Sequence, residues 1–424
     1  MRYRIAVLLG RLARKVLRLR GGGSAVPGRV VLAIAPRFLE RALSKLPLGV
    51  MFVSGSNGKS TTTNMLTAML REHGYDVFTN PSGGNLPQGI ASAMLATVPT
   101  DGYMRGDVGV IEVDEAYGVA LAKSLKPRGV LLLNVQVDQL NRFFEPARVV
   151  EMLRTMATAG RDLVVLNAND DSLRKVGAGL PATDGRRITW FGVSADLIEQ
   201  SPNGLANVAD PDAAVAPAPM PRVRVTGLDN RQATLEIDGA RALVPIPARG
   251  LHYAVDTAAA VAAVLEMVGD RFSIDAVQRA MSSLRTVYGR GELLTVGGED
   301  IEIIMMKNPP SLQLNLDYLV EAPEQLLIAV DEGTPDPSWV YGTDLSRIDH
   351  VDVVTGTKAW QIATRLGYSD IPVGQVQPDL KSALTAFLAL PKPRTGIKTM
   401  IVNYEQMMLI RKQLGFLDLE GGDQ

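Results

Sequence analysis

The residues best suited to chemistry form a glycine-rich run between a hydrophobic stretch, residues 49–53, and a helix-like stretch, residues 60–73. Glycines let backbone N–H groups turn toward phosphate oxygens, and the following helix adds its positive N-terminus. We predict a phosphate-binding loop in which Lys59 reaches the β- and γ-phosphates and the Ser60 hydroxyl ligates Mg²⁺. The residues expected to bind the nucleotide here are Gly55, Asn57, Gly58, Lys59, Ser60 and Thr61.

A second group with chemical potential is acidic. Glu112, Asp114 and Glu115 follow the hydrophobic run 108–111. A carboxylate at the end of a strand beside a phosphate loop is where nucleotide-hydrolysing enzymes hold Mg²⁺. We predict Glu112 as the metal ligand and Glu115 as the next candidate. The alternative is an acidic strand end that is merely solvated.

These groups need a scaffold, and the hydrophobic pattern predicts one. Short apolar runs alternate with helix-like stretches, which indicates an α/β fold with a parallel sheet covered on both faces. We predict an N-terminal helical segment over 1–47, with one helix over Pro36–Lys45. A central ATP-binding domain over 48–290 follows, with an insertion and small β module at 195–247. A Rossmann-like C-terminal α/β domain covers 291–424.

Composition excludes several kinds of chemistry. The 424 residues include no cysteine, so disulfides, thiolate zinc sites and a cysteine nucleophile are impossible in this chain. With 44 basic and 45 acidic side chains, the net charge is −1, and we expect no nucleic-acid partner. No apolar run is expected to reach the length of a transmembrane helix, and a cytoplasmic location follows as the default.

The N-terminus departs from this balance. Seven basic residues and no acidic ones lie in the first twenty, interleaved with apolar residues at helical spacing: Arg2, Arg4, Arg11, Arg14, Lys15, Arg18 and Arg20. A basic amphipathic helix is typical of contact with an anionic membrane surface. The more common alternative is a helix that packs its apolar face on its own domain.

Several stretches together resemble the Mur ligase family, which includes the folylpolyglutamate synthases. They are SGSNGKSTTT at 54–63, TNPSGGNLPQGI at 79–90, EVDE at 112–115, NVQVDQLNRFFE at 134–145, LNANDD at 166–171, GRGE at 289–292 and KNP at 307–309. The second and last are similar to the branch of the family whose ligase subunits amidate lipid II. Family members that act on UDP-linked substrates carry an additional domain before the loop, and we expect that domain to be missing here.

The resemblance implies an ATP- and Mg²⁺-dependent ligase. A carboxylate attacks the γ-phosphate, and an amine then attacks the acyl phosphate. In the lipid II-amidating branch the amine is ammonia from a separate GatD-type glutaminase, and the D-glutamate of lipid II becomes D-isoglutamine. The absence of cysteine agrees with a separate glutaminase chain, because a cysteine-type glutaminase cannot reside here.

The resemblance also implies site residues. Arg290 matches the arginine that reaches the γ-phosphate, and Asn85 an asparagine near the metal and the acceptor. Three residues match the loop that faces the nucleotide: Asn134, Asp138 and Asn141. In the third domain, Asp336 matches an aspartate that orients the glutaminase histidine, and Asp344 is the reserve because Gly342 replaces another family aspartate.

The chain departs from the family at two further places. Tyr253 and Asp256 stand where asparagines face the adenine; Asp256 can still accept from the adenine amino group, and Tyr253 could stack on the ring. A four-cysteine zinc ribbon found in many chains of this branch corresponds here to the Ala/Pro-rich residues 195–222, so no zinc is expected.

Two other functions stay open at this point. One is a stand-alone ligase that adds an amino acid, although residues 146–159 lack the lysine that such enzymes carbamylate. The other is a nucleotide-binding scaffold without turnover, which the changed positions 253 and 256 permit.

Overall fold

A computed structural model describes residues 1–20, 25–80, 84–136, 146–181, 185–201, 204–207, 218–284, 290–317, 319, 321–334 and 336–416. The chain forms two compact units. The first contains residues 1–198, 207–247 and 252–284, and the second contains 199–206, 248–251 and 285–424.

The first unit is built on a nine-stranded sheet. Its strands are β1 (Val50–Ser54), β2 (Val77–Thr79), β3 (Val108–Glu112), β4 (Gly129–Leu132), β5 (Leu163–Asn167), β6 (Arg187–Val193), β7 (Val223–Asp229), β8 (Gln232–Ile237) and β9 (Ala240–Pro245). Their order is β2-β3-β1-β4-β5-β6-β7-β8-β9, parallel as far as β7. The carboxyl ends of β1, β3 and β4 therefore meet at one edge of the sheet.

Helices cover this sheet. They are α1 (Arg2–Arg20), α2 (Val26–Ile34), α3 (Phe38–Leu43), α4 (Lys59–Glu72), α5 (Pro87–Met94), α6 (Glu115–Leu125), α7 (Pro146–Ala159), α8 (Asp171–Ala178), α9 (Ala195–Glu199), α10 (Leu251–Val268) and α11 (Ile274–Ser283). The helix expected over Pro36–Lys45 corresponds to α3, whereas α2 was not predicted. Pro27 lies in the first turn of α2, where a proline ring fits a helix without losing a hydrogen bond.

In the region predicted as a small β module, three strands belong to the main sheet. β7, β8 and β9 form two hairpins that extend the main sheet in antiparallel fashion. Asn230 and Asp238 adopt positive φ at the two turns, as turn asparagines and aspartates can at low cost. The second turn was not predicted from the sequence.

Helix α10 runs through the core of the first unit. It is the one helix in the described ranges long and apolar enough to cross a membrane, and 89% of its most apolar window is buried. The expectation that no apolar run reaches such a length is therefore wrong, because the length and composition of α10 meet this criterion. The burial is that of a helix packed within a protein core.

The second unit holds a six-stranded sheet. Its strands are β10 (Arg290–Val296), β11 (Glu299–Met305), β12 (Leu326–Ala329), β13 (Val351–Thr355), β14 (Val373–Gln377) and β15 (Ile397–Val402). Apart from the antiparallel pair β10–β11, the strands are parallel, in the order β10-β11-β15-β12-β13-β14. The helices are α12 (Pro309–Asp317), α13 (Ala359–Tyr368), α14 (Leu380–Leu388) and α15 (Tyr404–Gln413), with a 3₁₀ turn at Pro337–Gly342. The α/β fold class is confirmed.

Candidate functional site

The glycine-rich run joins β1 to α4, as predicted. Gly55 has φ +138° and Gly58 has φ +84°, a backbone conformation that residues with a Cβ rarely adopt. A Cβ atom at Gly55 would lie 3.1 Å from the backbone nitrogen of Asn134, so the loop passes close to the end of β4. Ser60 and Thr61 lie buried in the first turn of α4. The loop thus has the tight turn and the helix N-terminus that bind phosphate.

Side chains beyond β4 hold the loop in this shape. The N–H of Asn57 donates to Oδ1 of Asn134 over 2.9 Å, and Nδ2 of Asn134 donates back to the Asn57 carbonyl over 3.2 Å. Gln136 accepts from Nδ2 of Asn57 over 2.7 Å, and its own N–H donates to the Ser56 hydroxyl over 3.0 Å. Asn134 was predicted from the family resemblance, whereas Gln136 was missed. Its signal in the sequence was its place two residues after Asn134.

Lys59 is buried and points at acceptors of its own loop and of α6. Its Nζ donates to the Gly55 carbonyl over 2.5 Å and to the Ser56 carbonyl over 3.2 Å. The same atom forms an ion pair with Oε1 of Glu115 at 2.6 Å. Both side chains are almost fully buried, so the pair is little screened by water. The sequence interpretation had considered Glu115 only as a reserve metal ligand.

Glu112 ends β3 opposite Val53 of β1. The Asn80 side chain makes two hydrogen bonds to the Glu112 backbone. Oδ1 of Asn80 accepts from the Glu112 N–H over 2.9 Å, and Nδ2 donates to the Glu112 carbonyl over 3.1 Å. The Glu112 side chain is 3% exposed, and within the described residues its carboxylate has no hydrogen-bond or ion-pair partner. A buried carboxylate of this kind is costly unless a cation neutralises it.

Asn85 lies next to this acidic edge. Its carbonyl accepts from the Asp114 N–H over 3.5 Å, and Asp114 in turn caps α6 by accepting from the Ala116 N–H over 3.1 Å. Asn80 also donates to the Gly84 carbonyl over 3.0 Å. The stretch before α5 is thereby tied to the end of β3. Asn80 was not singled out from the sequence, although it lies inside the quoted stretch 79–90.

Asp256 lies on α10 against the phosphate loop. A Cβ atom built on Gly58 would be only 2.4 Å from Oδ1 of Asp256, and the Asp256 side chain is buried. Tyr253, one helical turn earlier, is buried too, and its carbonyl accepts from the Thr257 hydroxyl over 2.7 Å. A side chain at position 58 would be strained by the positive φ and would meet the Asp256 carboxylate unless that carboxylate moved. The adenine contacts expected of Asp256 and Tyr253 stay a prediction.

Three of the predicted residues are outside what can be described. Asp138 and Asn141 fall in 137–145, beyond the described residues. The side chain of Arg290 also lies outside the described part of the chain. The backbone of Arg290 begins β10. Their assignments stay predictions.

In the second unit, Asp336 precedes the 3₁₀ turn. Its Oδ1 accepts from the Ser338 N–H over 2.9 Å, and this hydrogen bond holds the pKa of the exposed carboxyl below its ordinary value. Asp344 makes the equivalent bond with the Ser346 N–H, again with a lowered pKa. Both are exposed caps of short turns. Asn308 of the KNP stretch is a cap as well, because its Oδ1 accepts from the Ser311 N–H over 2.9 Å.

Asp170 was quoted in the sequence analysis without a role. Its Oδ2 accepts from the Val135 N–H over 2.7 Å, and Oδ1 caps α8 by accepting from the Leu173 N–H over 2.9 Å. Burial raises its pKa to about 6, although these two N–H bonds oppose the shift. Asp170 thus anchors the backbone between Asn134 and Gln136, the two side chains that hold the phosphate loop.

These residues fit a nucleotide with one bound Mg²⁺. The loop offers N–H groups, Lys59 offers a cation, and Ser60 and Glu112 offer oxygen ligands of the hard type that Mg²⁺ prefers. Within the described ranges, no three His, Cys, Asp or Glu side chains form a metal site. A metal held by one carboxylate, one hydroxyl and the phosphates needs no such cluster.

A phosphate loop on a parallel sheet is followed along the chain by a second α/β unit. Residues 53–210 match the Mur ligase middle domain. The Mur ligase fold is confirmed by MurF ligase from Thermotoga maritima, solved in complex with ADP. The TM-score is 0.65 at 18% identity, over 92% of this chain and 83% of that one.

Two relatives indicate a particular group within the Mur ligases. The chain is 24% identical to the MurT subunit of lipid II isoglutaminyl synthase (glutamine-hydrolyzing) from Streptococcus pneumoniae, over 88% of both chains. It is 25% identical to the MurT subunit of the same synthase from Staphylococcus aureus strain COL, over the full length of both. The resemblance stated from the motifs, to the Mur ligase family and its lipid II-amidating branch, is confirmed.

Proposed function

We propose that this chain is the ATP-dependent ligase subunit of a glutamine-dependent amidotransferase. Its acceptor is the α-carboxylate of the D-glutamate in lipid II, its partner is a GatD-type glutaminase that supplies ammonia, and its product is D-isoglutamine. The observation that carries this proposal is the similarity to MurT subunits along the whole chain, together with a preformed phosphate loop. The reaction takes place in the cytoplasm.

The reaction proceeds in two balanced steps. A carboxylate oxygen of the acceptor attacks the γ-phosphorus of ATP, and ADP leaves with the electrons of the broken P–O bond. Ammonia then attacks the acyl carbon of the acyl phosphate, the C–O bond to phosphate breaks, and the proton lost from nitrogen is taken up by the departing phosphate. Splitting the reaction in this way replaces hydroxide, a poor leaving group, by phosphate.

The chain's own residues serve the first step. The N–H groups of the phosphate loop and Lys59 hold the β- and γ-phosphates, and Arg290 approaches the γ-phosphate as charge develops. Ser60 and Glu112 hold Mg²⁺, which neutralises phosphate charge when bound. Asn134 contributes by fixing the loop through Asn57, and Asn85 and Asp138 extend the nucleotide and acceptor site.

The partner subunit is part of the proposal because this chain cannot hydrolyse glutamine with a cysteine. Asp336 is proposed to orient the histidine of the glutaminase, with Asp344 as the reserve. Its exposure and ionised state suit this role, since a carboxylate must reach across to another protein and remain charged.

The test is reconstitution with a candidate glutaminase. Purified lipid II, ATP, Mg²⁺ and glutamine are supplied, and mass spectrometry reports whether a carboxyl of the acceptor becomes a carboxamide. We expect amidation that requires both chains with glutamine, but only this chain with ammonium chloride. Amino-acid addition to the acceptor without amidation would instead support the stand-alone ligase, and ATP binding without turnover would support the scaffold.

A further inference from the structure

Helix α1 has two apolar faces, and the described residues cover only one of them. On its inner face, Ala6, Val7 and Gly10 are buried in the core of the first unit. On its outer face, five large apolar side chains are exposed: Ile5, Leu8, Leu9, Leu12 and Val16. The two alternatives for the N-terminal helix are thus compatible, because packing on the domain leaves a second apolar face open.

The inner face is fitted closely. A Cβ atom at Gly10 would lie 2.4 Å from Cγ2 of Val31 and 2.8 Å from Cδ1 of Leu95. Arg11 donates from Nε to the Leu95 carbonyl over 3.2 Å and from Nη2 to the Val98 carbonyl over 2.6 Å. The helix is therefore held in one orientation, with its outer face directed to solvent.

The outer apolar residues form one continuous stripe. At 100° per residue, their spacing of three, four, seven and eleven from Ile5 places all five within an arc of about 100°. Leu8 and Leu12 are the most exposed, at 56% and 58%. A row of adjacent exposed leucines differs from the scattered exposed apolar residues found on most protein surfaces.

The charge beside the stripe is entirely positive. The first 39 residues contain nine Arg and Lys and no Asp or Glu, although the whole chain is nearly neutral. Arg4, Arg11 and Lys15 each precede a stripe residue, so all three lie on the same flank, one 100° step away. The side chains of Arg4 and Lys15 are exposed.

We propose that the outer face of α1, the stripe with its basic flank, binds the surface of an anionic lipid bilayer. A helix that lies in the interface inserts its apolar side chains among the acyl chains, while basic side chains at its edge meet the lipid phosphates. A protein partner of ordinary composition has no need of a flank free of acids. Basic residues next to the stripe would also repel each other in a pair of copies packed through it.

The membrane-binding proposal does not depend on the proposed function, because its evidence comes from α1 alone. The two fit together, because an enzyme that acts on a lipid-linked acceptor gains from residence at the membrane. Binding is therefore measured without substrate, so that a failed amidation assay and a failed binding assay remain distinguishable.

The experiment is sedimentation of the full chain with vesicles of phosphatidylcholine, with and without phosphatidylglycerol. The test variant is Leu8→Gln with Leu12→Gln; a second variant is Arg4→Gln with Lys15→Gln. The matched control is Leu243→Gln, because Leu243 on β9 is 55% exposed and distant in sequence from α1. Deleting α1 is avoided, since removal would uncover Val31 and Leu95.

We expect the wild type and the Leu243 variant to bind anionic vesicles equally, and added salt to weaken both. The double leucine variant should bind at least about tenfold more weakly, since it loses two apolar side chains that would insert among the acyl chains. The Arg4/Lys15 variant should show a weaker preference for phosphatidylglycerol than the wild type, because two of the nine basic residues are lost. Wild-type binding that is absent, or equal in all four proteins, would overturn the proposal. So would a wild-type dimer in sedimentation velocity that the leucine variant abolishes.

Discussion

The Nζ atom of Lys59 lies 2.6 Å from Oε1 of Glu115, and both side chains are buried. The lysine that should bind phosphate is thus already paired with a carboxylate on α6. A phosphate group must compete with Glu115 for this cation.

We expect Glu115→Gln to bind ATP more tightly, by up to about tenfold, because an amide attracts Lys59 less than a carboxylate does. The nucleotide-free variant should unfold at a lower temperature, since a buried ammonium loses its counter-charge. Differential scanning fluorimetry with and without ATP measures both effects: a lower starting Tm and a larger rise on ATP addition. A smaller rise than in the wild type would instead mean that Glu115 ligates the metal.

Lys59→Ala should abolish amidation with either ammonia source, since the phosphoryl group loses a charge-assisted contact. In this variant Glu115 stays buried without its ion-pair partner Lys59. The double variant Lys59→Ala/Glu115→Gln is therefore the control for folding, and it should recover stability without recovering turnover. Near-normal turnover in either protein would show that the loop is structural.

Glu112→Gln should lose Mg²⁺-dependent turnover by at least about a hundredfold, because an amide is a poor ligand for a hard cation. Its stability should be unchanged or higher, since the carboxylate has no protein partner within the described residues. Turnover is titrated against Mg²⁺ in both proteins. An identical Mg²⁺ dependence would place the ligand elsewhere.

Asp336→Asn should lower glutamine-dependent amidation while activity with ammonium chloride survives. An asparagine can still cap the turn at Ser338 through its Oδ1, so the fold of this segment is retained. Asp344→Asn is the matched comparison, since that residue caps a similar turn. Equal loss with both nitrogen sources would exclude Asp336 as the partner of the glutaminase histidine.

Asp170 gives a prediction about pH. Its folded pKa of about 6 lies above the ordinary 3.8, so the folded state binds the proton more tightly. This group therefore stabilises the fold below its unfolded pKa, and that contribution is lost as pH rises toward 6. Between pH 5 and 7.5 the loss is about 1 kcal/mol.

The variant Asp170→Asn should remove this pH dependence. It should also be less stable than the wild type by about 1–3 kcal/mol, because one of two buried N–H groups loses its acceptor. Urea unfolding at pH 5 and 7.5 compares the two proteins. The stability gap should be wider at pH 5, and a gap that widens toward pH 7.5 would contradict the assignment.

The sequence predicted the phosphate loop and the acidic strand end because both depend on residues close together in the chain. The ion pair of Lys59 with Glu115 and the approach of Asp256 to Gly58 were not predicted. They join residues far apart in sequence, and their existence depends on strand order and helix placement. Strand β6 was not predicted either. It begins with a charged, exposed residue and so lacks the continuous apolar run of a buried parallel strand.

The hydrogen bonds between the phosphate loop and the side chains of Asn134 and Gln136 are made by the protein alone. The conformational entropy of ordering the loop is therefore lost during folding rather than during association with a nucleotide. Affinity lost through Asn134→Ala would then appear as a less favourable binding entropy, with the phosphate contacts themselves intact. In this sense the segment after β4 is part of the nucleotide site, even though no atom of it needs to touch a phosphate.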